Sequence, residues 1–440
     1  MKFWFDNFLI KKLGYAMTNA ELVTEMARRF SIPKIIVGPN IFPDRGGIFG
    51  DHIDEIARQC PNKRAFIVTD DYCVRFAKKI VRCFENRYDF NFMIFDKILP
   101  ECPTDNVMEC AKEMIEFEPD VIFALGGGSA LDGAKLSWAM YERQDIKNLF
   151  EEFDVFTRLE LRNKAFLIAV PTTSGTGSET TMTGLFTVEM EDGKHMKVPI
   201  SNYELQPDYA LLDPEFTYGL PPNLTAGTGL DALAHAIFGI VGPAHNEFAT
   251  AMGLRAIKMI FEYLPRAYKD GNDREARLKM LEAATMAGIC FDRGGSTGVN
   301  HAMGHQFGAM FGVHHGISVA ILITYGLMFY FPFNDKYLEI CDVLKIPDHE
   351  SNRKRLLDLI DKINLLLEEI DVPTNLKGLG ISKEDFDNNL DQLAENSLND
   401  PTSFTAPLPM EKGMYKDLFR KAFEGKIEEI HSLYEEYLNE

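Results

Sequence analysis

The chain has 440 residues, 46% hydrophobic and 25% charged, an ordinary composition for a globular protein long enough to hold two domains. A formal net charge of −20 argues against nucleic acid and anionic membrane as partners. The seven cysteines are scattered and never form Cys-x-x-Cys, which points to reduced thiols and a cytoplasmic location and excludes a disulfide frame or a zinc ribbon.

Residues 1–33 read as a helical extension. Phe3, Trp4, Phe8, Leu9 and Leu13 form an apolar stripe, and Asp6 and Asn7 break the run a signal peptide would need. From Lys34 onward strand and helix alternate. Strands are expected at 34–37, 65–69, 90–95, 120–125 and 165–170, with helices at 48–60, 73–84, 105–117 and from Ser129 to Tyr141. Residues 142–164 read as a long charged loop. Thr183 to Ile200, with Glu191-Asp192-Gly193 in the middle, reads as a hairpin. After Asp213-Pro214 no strand run is evident, so residues 217–440 are expected to be all-helical. The apolar run from Ile317 to Phe333, at about 17 residues, is short for a membrane span and suits a buried core helix. The expected architecture is a Rossmann-like parallel-sheet domain over 34–216 followed by a helical domain over 217–440.

Four features carry chemistry. Gly126-Gly127-Gly128-Ser129-Ala130-Leu131-Asp132 ends a buried strand and opens a helix, where free N–H groups and the helix dipole suit a phosphate. It lacks the Lys-Ser/Thr that a P-loop requires, which disfavours a nucleoside triphosphatase. Pro171-Thr172-Thr173-Ser174-Gly175-Thr176-Gly177-Ser178 ends another strand with a dense set of hydroxyl donors. Asp70 ends an early strand. It can accept hydrogen bonds from an adenosine ribose and repel a 2′-phosphate, or simply cap the next helix.

The fourth feature is the histidine cluster. Six of the ten histidines fall between His235 and His315. Asp231 and His235, and likewise His301 and His305, are four residues apart and share a helix face. Imidazoles with one carboxylate and no thiolate suit Fe2+ or Zn2+. Spacing alone leaves open which of His301, His305, His314 and His315 are ligands.

Taken together, Gly126 to Lys135, Pro171 to Glu179, Asp231 to His235, His301 to His305 and His315-Gly316 resemble the iron-dependent (group III) alcohol dehydrogenase family, in the family's order, over roughly Pro33 to Gly425. The longer loop after Lys135, with Met140-Tyr141-Glu142, is most similar to the alcohol dehydrogenase half of bifunctional aldehyde/alcohol dehydrogenases and to butanol dehydrogenases. Asp400-Pro401-Thr402 is similar to a family segment near the C-terminus.

The resemblance implies Asp231, His235, His301 and His315 as metal ligands and His305 as a catalytic histidine that is not a ligand. It implies Asp70, Gly126, Gly127, Gly128, Ser129, Asp132, Thr172, Thr173, Thr181 and Lys197 as the lining of a site for NAD rather than NADP. It also implies Fe2+, with Zn2+ as the alternative, a small alcohol or aldehyde substrate, and a homodimer or larger homo-oligomer. The chain departs from the family pattern at Phe238, where Glu is usual, at His314, where Pro is usual, and at Gln306, where Pro or Lys is common. A dehydroquinate-synthase-like lyase, a metal-dependent hydrolase and a non-catalytic metal-binding protein are the competing classes.

Overall fold

The computed structural model describes residues 30–43, 51–146, 157–189 and 195–434. The expected stripe from Phe3 to Leu13 and the hairpin turn at Glu191-Asp192-Gly193 lie outside these residues. The chain divides into two compact units, the first ending at Tyr218 and the second beginning at Gly219.

Among the described residues the first unit carries eight strands and four α-helices. They are β1 (Lys34–Val37), α1 (Asp51–Arg58), β2 (Arg64–Val68), α2 (Val74–Tyr88), β3 (Asn91–Phe95), α3 (Thr104–Phe117), β4 (Val121–Gly126), α4 (Gly128–Glu142), β5 (Phe166–Pro171), β6 (Thr183–Glu189), β7 (His195–Ser201) and β8 (Tyr209–Leu212). Six strands form one sheet in the order β1-β8-β5-β4-β2-β3, and every pairing is parallel. Strands β6 and β7 form the expected antiparallel hairpin. All six residues of β4 are buried, as a parallel strand covered on both faces requires. Each large apolar side chain buried there contributes about 1.5–3 kcal/mol.

Strand β8 is not among the strands expected from the sequence. Tyr209-Ala210-Leu211-Leu212 pairs with β1 on one side and β5 on the other, so the last strand in the chain sits inside the sheet. From β2 the chain moves outward to β3, then returns to β4 on the other side of β2 and continues to β5. The order therefore reverses between β2 and β4, the place where open α/β sheets hold ligands at their carboxyl ends. Asp70 follows β2 and the glycine loop follows β4, so both flank that reversal.

Among the described residues the second unit has no strand. Its helices are α5 (Pro222–Val241), α6 (Glu247–Lys269), α7 (Arg274–Gly294), α8 (Gly298–Phe311), α9 (His315–Ile321), α10 (Ile323–Tyr330), α11 (Tyr337–Val343), α12 (Asn352–Glu369), α13 (Lys383–Asn399) and α14 (Lys412–Glu424). The apolar run at 317–333 is two helices, with Leu322 between them. Helix α5 is 20 residues long and apolar enough to cross a membrane, yet 89% of its most apolar window is buried. It is packed by α6, α7 and α9, which accounts for its lack of a polar face.

Small residues let these helices approach closely. A Cβ at Gly294 would stand 2.4 Å from the Gly239 carbonyl oxygen, so α5 and α7 meet backbone to backbone. A Cβ at Gly316 would stand 2.0 Å from the Gly227 carbonyl oxygen, which sets α9 directly on α5.

Candidate metal centre and cofactor edge

Asp231 and His235 lie on α5, His301 and His305 on α8, and His315 opens α9. The Gly227–Gly316 contact fixes the third of these elements against the first, and so brings His315 to Asp231. The Nε2 atoms of His235, His301 and His315 lie 3.7, 3.5 and 3.4 Å from one oxygen, Asp231 Oδ1. His235 stacks on Phe291 at 4.2 Å and on His301 at 4.9 Å, which holds its ring in place. His301 Nδ1 donates to the Thr297 carbonyl at 2.7 Å. With that proton placed on Nδ1, Nε2 keeps its lone pair for a metal.

The donor set fits a divalent cation on two grounds. Asp231 Oδ1 and His301 Nε2 are buried and make no hydrogen bond, an arrangement that is costly unless a cation uses their lone pairs. Three imidazoles and one carboxylate without a thiolate are also a donor set for borderline divalent ions such as Fe2+ or Zn2+. Burial alone would raise the pKa of the Asp231 carboxyl. The His235 and His315 imidazoles, with His301, outweigh that and hold it well below the usual carboxylate range. The Asp231, His235 and His301 side chains are 4%, 7% and 3% exposed, whereas His315 is 31% exposed, so the cluster opens on the His315 side.

His305 stands apart from the other three. Its ring stacks on His315 at 5.1 Å, but its Nδ1 is bonded at 2.7 Å to Asp400 Oδ2. Asp400 lies just ahead of a short 3-10 helix, Pro401–Thr405, and its Oδ1 accepts from the Thr402 backbone N–H and hydroxyl at 2.9 and 2.6 Å. Nothing in the sequence around Asp400-Pro401-Thr402 points to a role for Asp400. Its partner is 95 residues upstream, and only the tertiary fold joins them.

The residues where the sequence departs from the family pattern sit differently. Phe238 is fully buried, and its ring fills the space beside Gly298, Gly326 and Tyr330, within the helical core. The His314 ring lies over Gly227, where any Cβ would meet it at 2.5 Å. Gln306 is buried and its amide donates to the Ala302 carbonyl within α8.

In the first unit, Asp70 caps a helix with one oxygen and sets the other beside the glycine loop. Its Oδ1 accepts from the N–H groups of Tyr72 and Cys73 and so caps the start of α2. Its Oδ2 lies 3.3 Å from where a Cβ on Gly126 would stand, beside the glycine loop. Gly126 has φ +154, outside the range an L-residue prefers, and a Cβ there would collide with Ala130 at 2.6 Å. Gly127 precedes α4 with no side-chain cap, so the first N–H groups of that helix are open to a ligand. Gly127, Gly128 and Ser129 are partly exposed. The second loop meets the first: Thr173 faces Gly127, and Thr176 faces Gly128 so closely that a Cβ there would be 2.8 Å from it. A bare backbone backed by hydroxyls is a fitting cradle for a pyrophosphate.

Other residues implied for the cofactor site stand behind these loops. Asp132 accepts from the Ser178 hydroxyl at 2.5 Å and the Leu185 N–H at 3.1 Å. Thr181 and Ser178 accept from the fully buried Lys135 ammonium at 2.9 and 2.8 Å. The Thr172 hydroxyl is buried 3.4 Å from Cys73 Sγ. Asp132, Thr181 and Lys135 thus tie α4, the hydroxyl loop and the hairpin together and hold the loops in shape. Lys197 lies on β7 opposite Thr187.

A sheet edge of this kind in one unit and a three-imidazole, one-carboxylate cluster in the other define a metal-dependent oxidoreductase linked to NAD. The iron-containing alcohol dehydrogenase family matches residues 46–214, and the C-terminal domain of the Fe-containing alcohol dehydrogenase family matches residues 225–423. The chain is 34% identical to an NADPH-dependent butanol dehydrogenase of Clostridium saccharobutylicum over 76% of this chain and 84% of that enzyme. It is 33% identical to an aldehyde-alcohol dehydrogenase of Clostridium acetobutylicum, matching 82% of this chain but only 44% of that longer protein. Among solved structures, a 1,3-propanediol oxidoreductase shares 26% identity with a TM-score of 0.79, covering 90% of this chain and all of the other. An iron-containing alcohol dehydrogenase from Thermococcus thioreducens also shares 26% identity, with a TM-score of 0.75 and the same coverage. The protein belongs to the iron-containing alcohol dehydrogenase family.

Proposed function

We propose that the protein is an NAD-dependent, iron-dependent alcohol dehydrogenase, running also as an aldehyde reductase, on small primary alcohols and aldehydes. The observation that carries this reading is the convergence of three imidazole Nε2 atoms on Asp231 Oδ1. Asp231, His235, His301 and His315 would hold the metal, Fe2+ first and Zn2+ as a substitute. The glycine loop with Thr173 would hold the pyrophosphate, and Asp70 the adenosine ribose. When bound, the metal supplies Lewis-acid polarisation of the substrate oxygen, and the nicotinamide supplies or accepts the hydride.

The chain's own residues orient these groups and handle the proton. His305 takes the alcohol proton on oxidation and returns it on reduction, a role open to an imidazole with one nitrogen lone pair free. The protein acts in the cytoplasm as a homodimer or larger homo-oligomer.

The test is absorbance at the NADH band with a panel of short aldehydes, after chelation and then with added Fe2+ or Zn2+. Metal-dependent loss of NADH with alcohol formation supports the reading. Turnover with NAD+ unchanged overall would indicate a lyase, and turnover without dinucleotide a hydrolase. His301→Ala is expected to lose metal and activity together. His305→Ala is expected to keep metal and NADH binding while kcat falls. Metal analysis that finds the His305→Ala site empty would reverse this division of roles.

A further inference from the structure

We infer that Asp400 is a positioning residue: it decides which nitrogen of His305 carries the proton, and thereby keeps His305 Nε2 as the acceptor for the substrate's hydroxyl proton. This inference rests on the dehydrogenase reading above. Both side chains are only 11% exposed and their bond is 2.7 Å. An ionised carboxylate has lone pairs and no proton to give, so the nitrogen it touches must be the N–H. That nitrogen is Nδ1. In the neutral ring Nε2 then holds the lone pair.

The carboxylate is itself fixed. Asp400 divides its two oxygens, one to His305 and one to Thr402, whose N–H and hydroxyl both donate to it. Rotation about the Cβ–Cγ bond would break all three contacts. The segment behind Asp400 is held as well: the Tyr330 hydroxyl donates to the Thr405 carbonyl at 2.9 Å. Burial would push the Asp400 carboxyl up, but the His305 imidazole and the Thr402 donors hold it below its ordinary value. A carboxylate used only to join α8 to the 3-10 helix would not need its second oxygen aimed at an imidazole stacked on a candidate metal ligand.

On alcohol oxidation the O–H bond breaks and its proton forms a new N–H bond at His305 Nε2. The electron pair left on oxygen becomes the second C–O bond as the C–H pair leaves as hydride to NAD+. The imidazolium that results has its Nδ1–H on the Asp400 carboxylate, which stabilises it. On aldehyde reduction, with NADH as reductant, each bond change reverses.

Two measurements test Asp400. In metal-free protein labelled with 15N-histidine, His305 should show an N–H-type Nδ1 and a lone-pair-type Nε2, and Asp400→Asn should remove that preference. In metal-loaded protein, Asp400→Asn should lower kcat by about 100-fold or more while metal content and the KM values for aldehyde and NADH hold. The double variant Asp400→Asn/His305→Ala should be no slower than His305→Ala, within about threefold, because the two residues act as one unit. Should Asp400→Asn fail to fold, Thr402→Val loosens the same carboxylate and should give a smaller fall in kcat at unchanged KM. A kcat within about threefold of wild type for whichever variant folds, losses that multiply in the double variant, or a wild-type proton on Nε2 would each overturn the inference. If the wild-type protein turns over no aldehyde with any metal, the dehydrogenase reading fails, while the tautomer measurement still judges Asp400 separately.

Discussion

Asp70 caps α2 with one oxygen, and substitution can separate that duty from the proposed one toward the cofactor ribose. Its Oδ1 caps α2, and its negative charge sits beside the glycine loop. Asp70→Asn keeps an acceptor for the cap and removes the charge. It should raise kcat/KM with NADPH relative to NADH by about tenfold, equivalent to ~1.4 kcal/mol, at little change in melting temperature. Asp70→Gly should shift cofactor use in the same direction and also lose a few tenths to about 1 kcal/mol of stability with the cap. An unchanged cofactor ratio in both variants would remove Asp70 from cofactor selection. Sequence could name both duties for Asp70, because a strand-end aspartate before a helix satisfies either pattern. It could not show that one oxygen makes the cap while the other stands beside the glycine loop, since that depends on where Gly126 stands in space.

Among the elements, the contact of α5 with α9 is the one that builds the candidate metal centre. Gly316 presses on the Gly227 carbonyl with no room for a methyl group, and its neighbour His315 reaches Asp231 from that contact. Gly316→Ala must push α9 off α5, because the obstacle is backbone and cannot rotate away. The expected result is a protein that still folds but binds metal at least tenfold more weakly, read by metal titration. Gly312, which has open space around it, provides the control despite its φ of +67: there alanine costs only backbone strain, ~1 kcal/mol, and leaves metal affinity unchanged. The histidine pairs themselves were legible because helical spacing of four puts two side chains on one face. The break at Leu322 and strand β8 were not. A four-residue apolar run such as Tyr209-Ala210-Leu211-Leu212 fits strand, turn or helix equally well, and only its two neighbours decide. Asp400 was illegible as a partner for the same reason: no local period links it to His305.

Across the whole molecule, two buried aspartates should contribute to the response to acid. Both Asp231 and Asp400 have their pKa values lowered in the fold despite burial. A group lowered on folding contributes stability that is fully present above its unfolded value of about 3.9 and is lost as pH falls through the folded value. The metal-free protein should therefore lose stability progressively below about pH 4. Asp400→Asn should lose less over that range, so the two denaturation curves should draw together as pH drops. Parallel curves down to pH 2 would show that Asp400 carries no such linkage.

The place of β8 also governs the order in which the sheet can be completed. Strand β1 is made first, yet its partner in the sheet is Tyr209–Leu212, with Lys34 aligned to Tyr209. At ordinary synthesis rates the delay between the two strands is on the order of ten seconds or more. During that interval β2 to β5 can pair among themselves, while β1 has both edges bare and nothing to dock on. A nascent chain halted before Tyr209 should therefore display a protease-sensitive β1 beside a protected four-stranded platform, and it is the chain's stage most exposed to pairing with a neighbour.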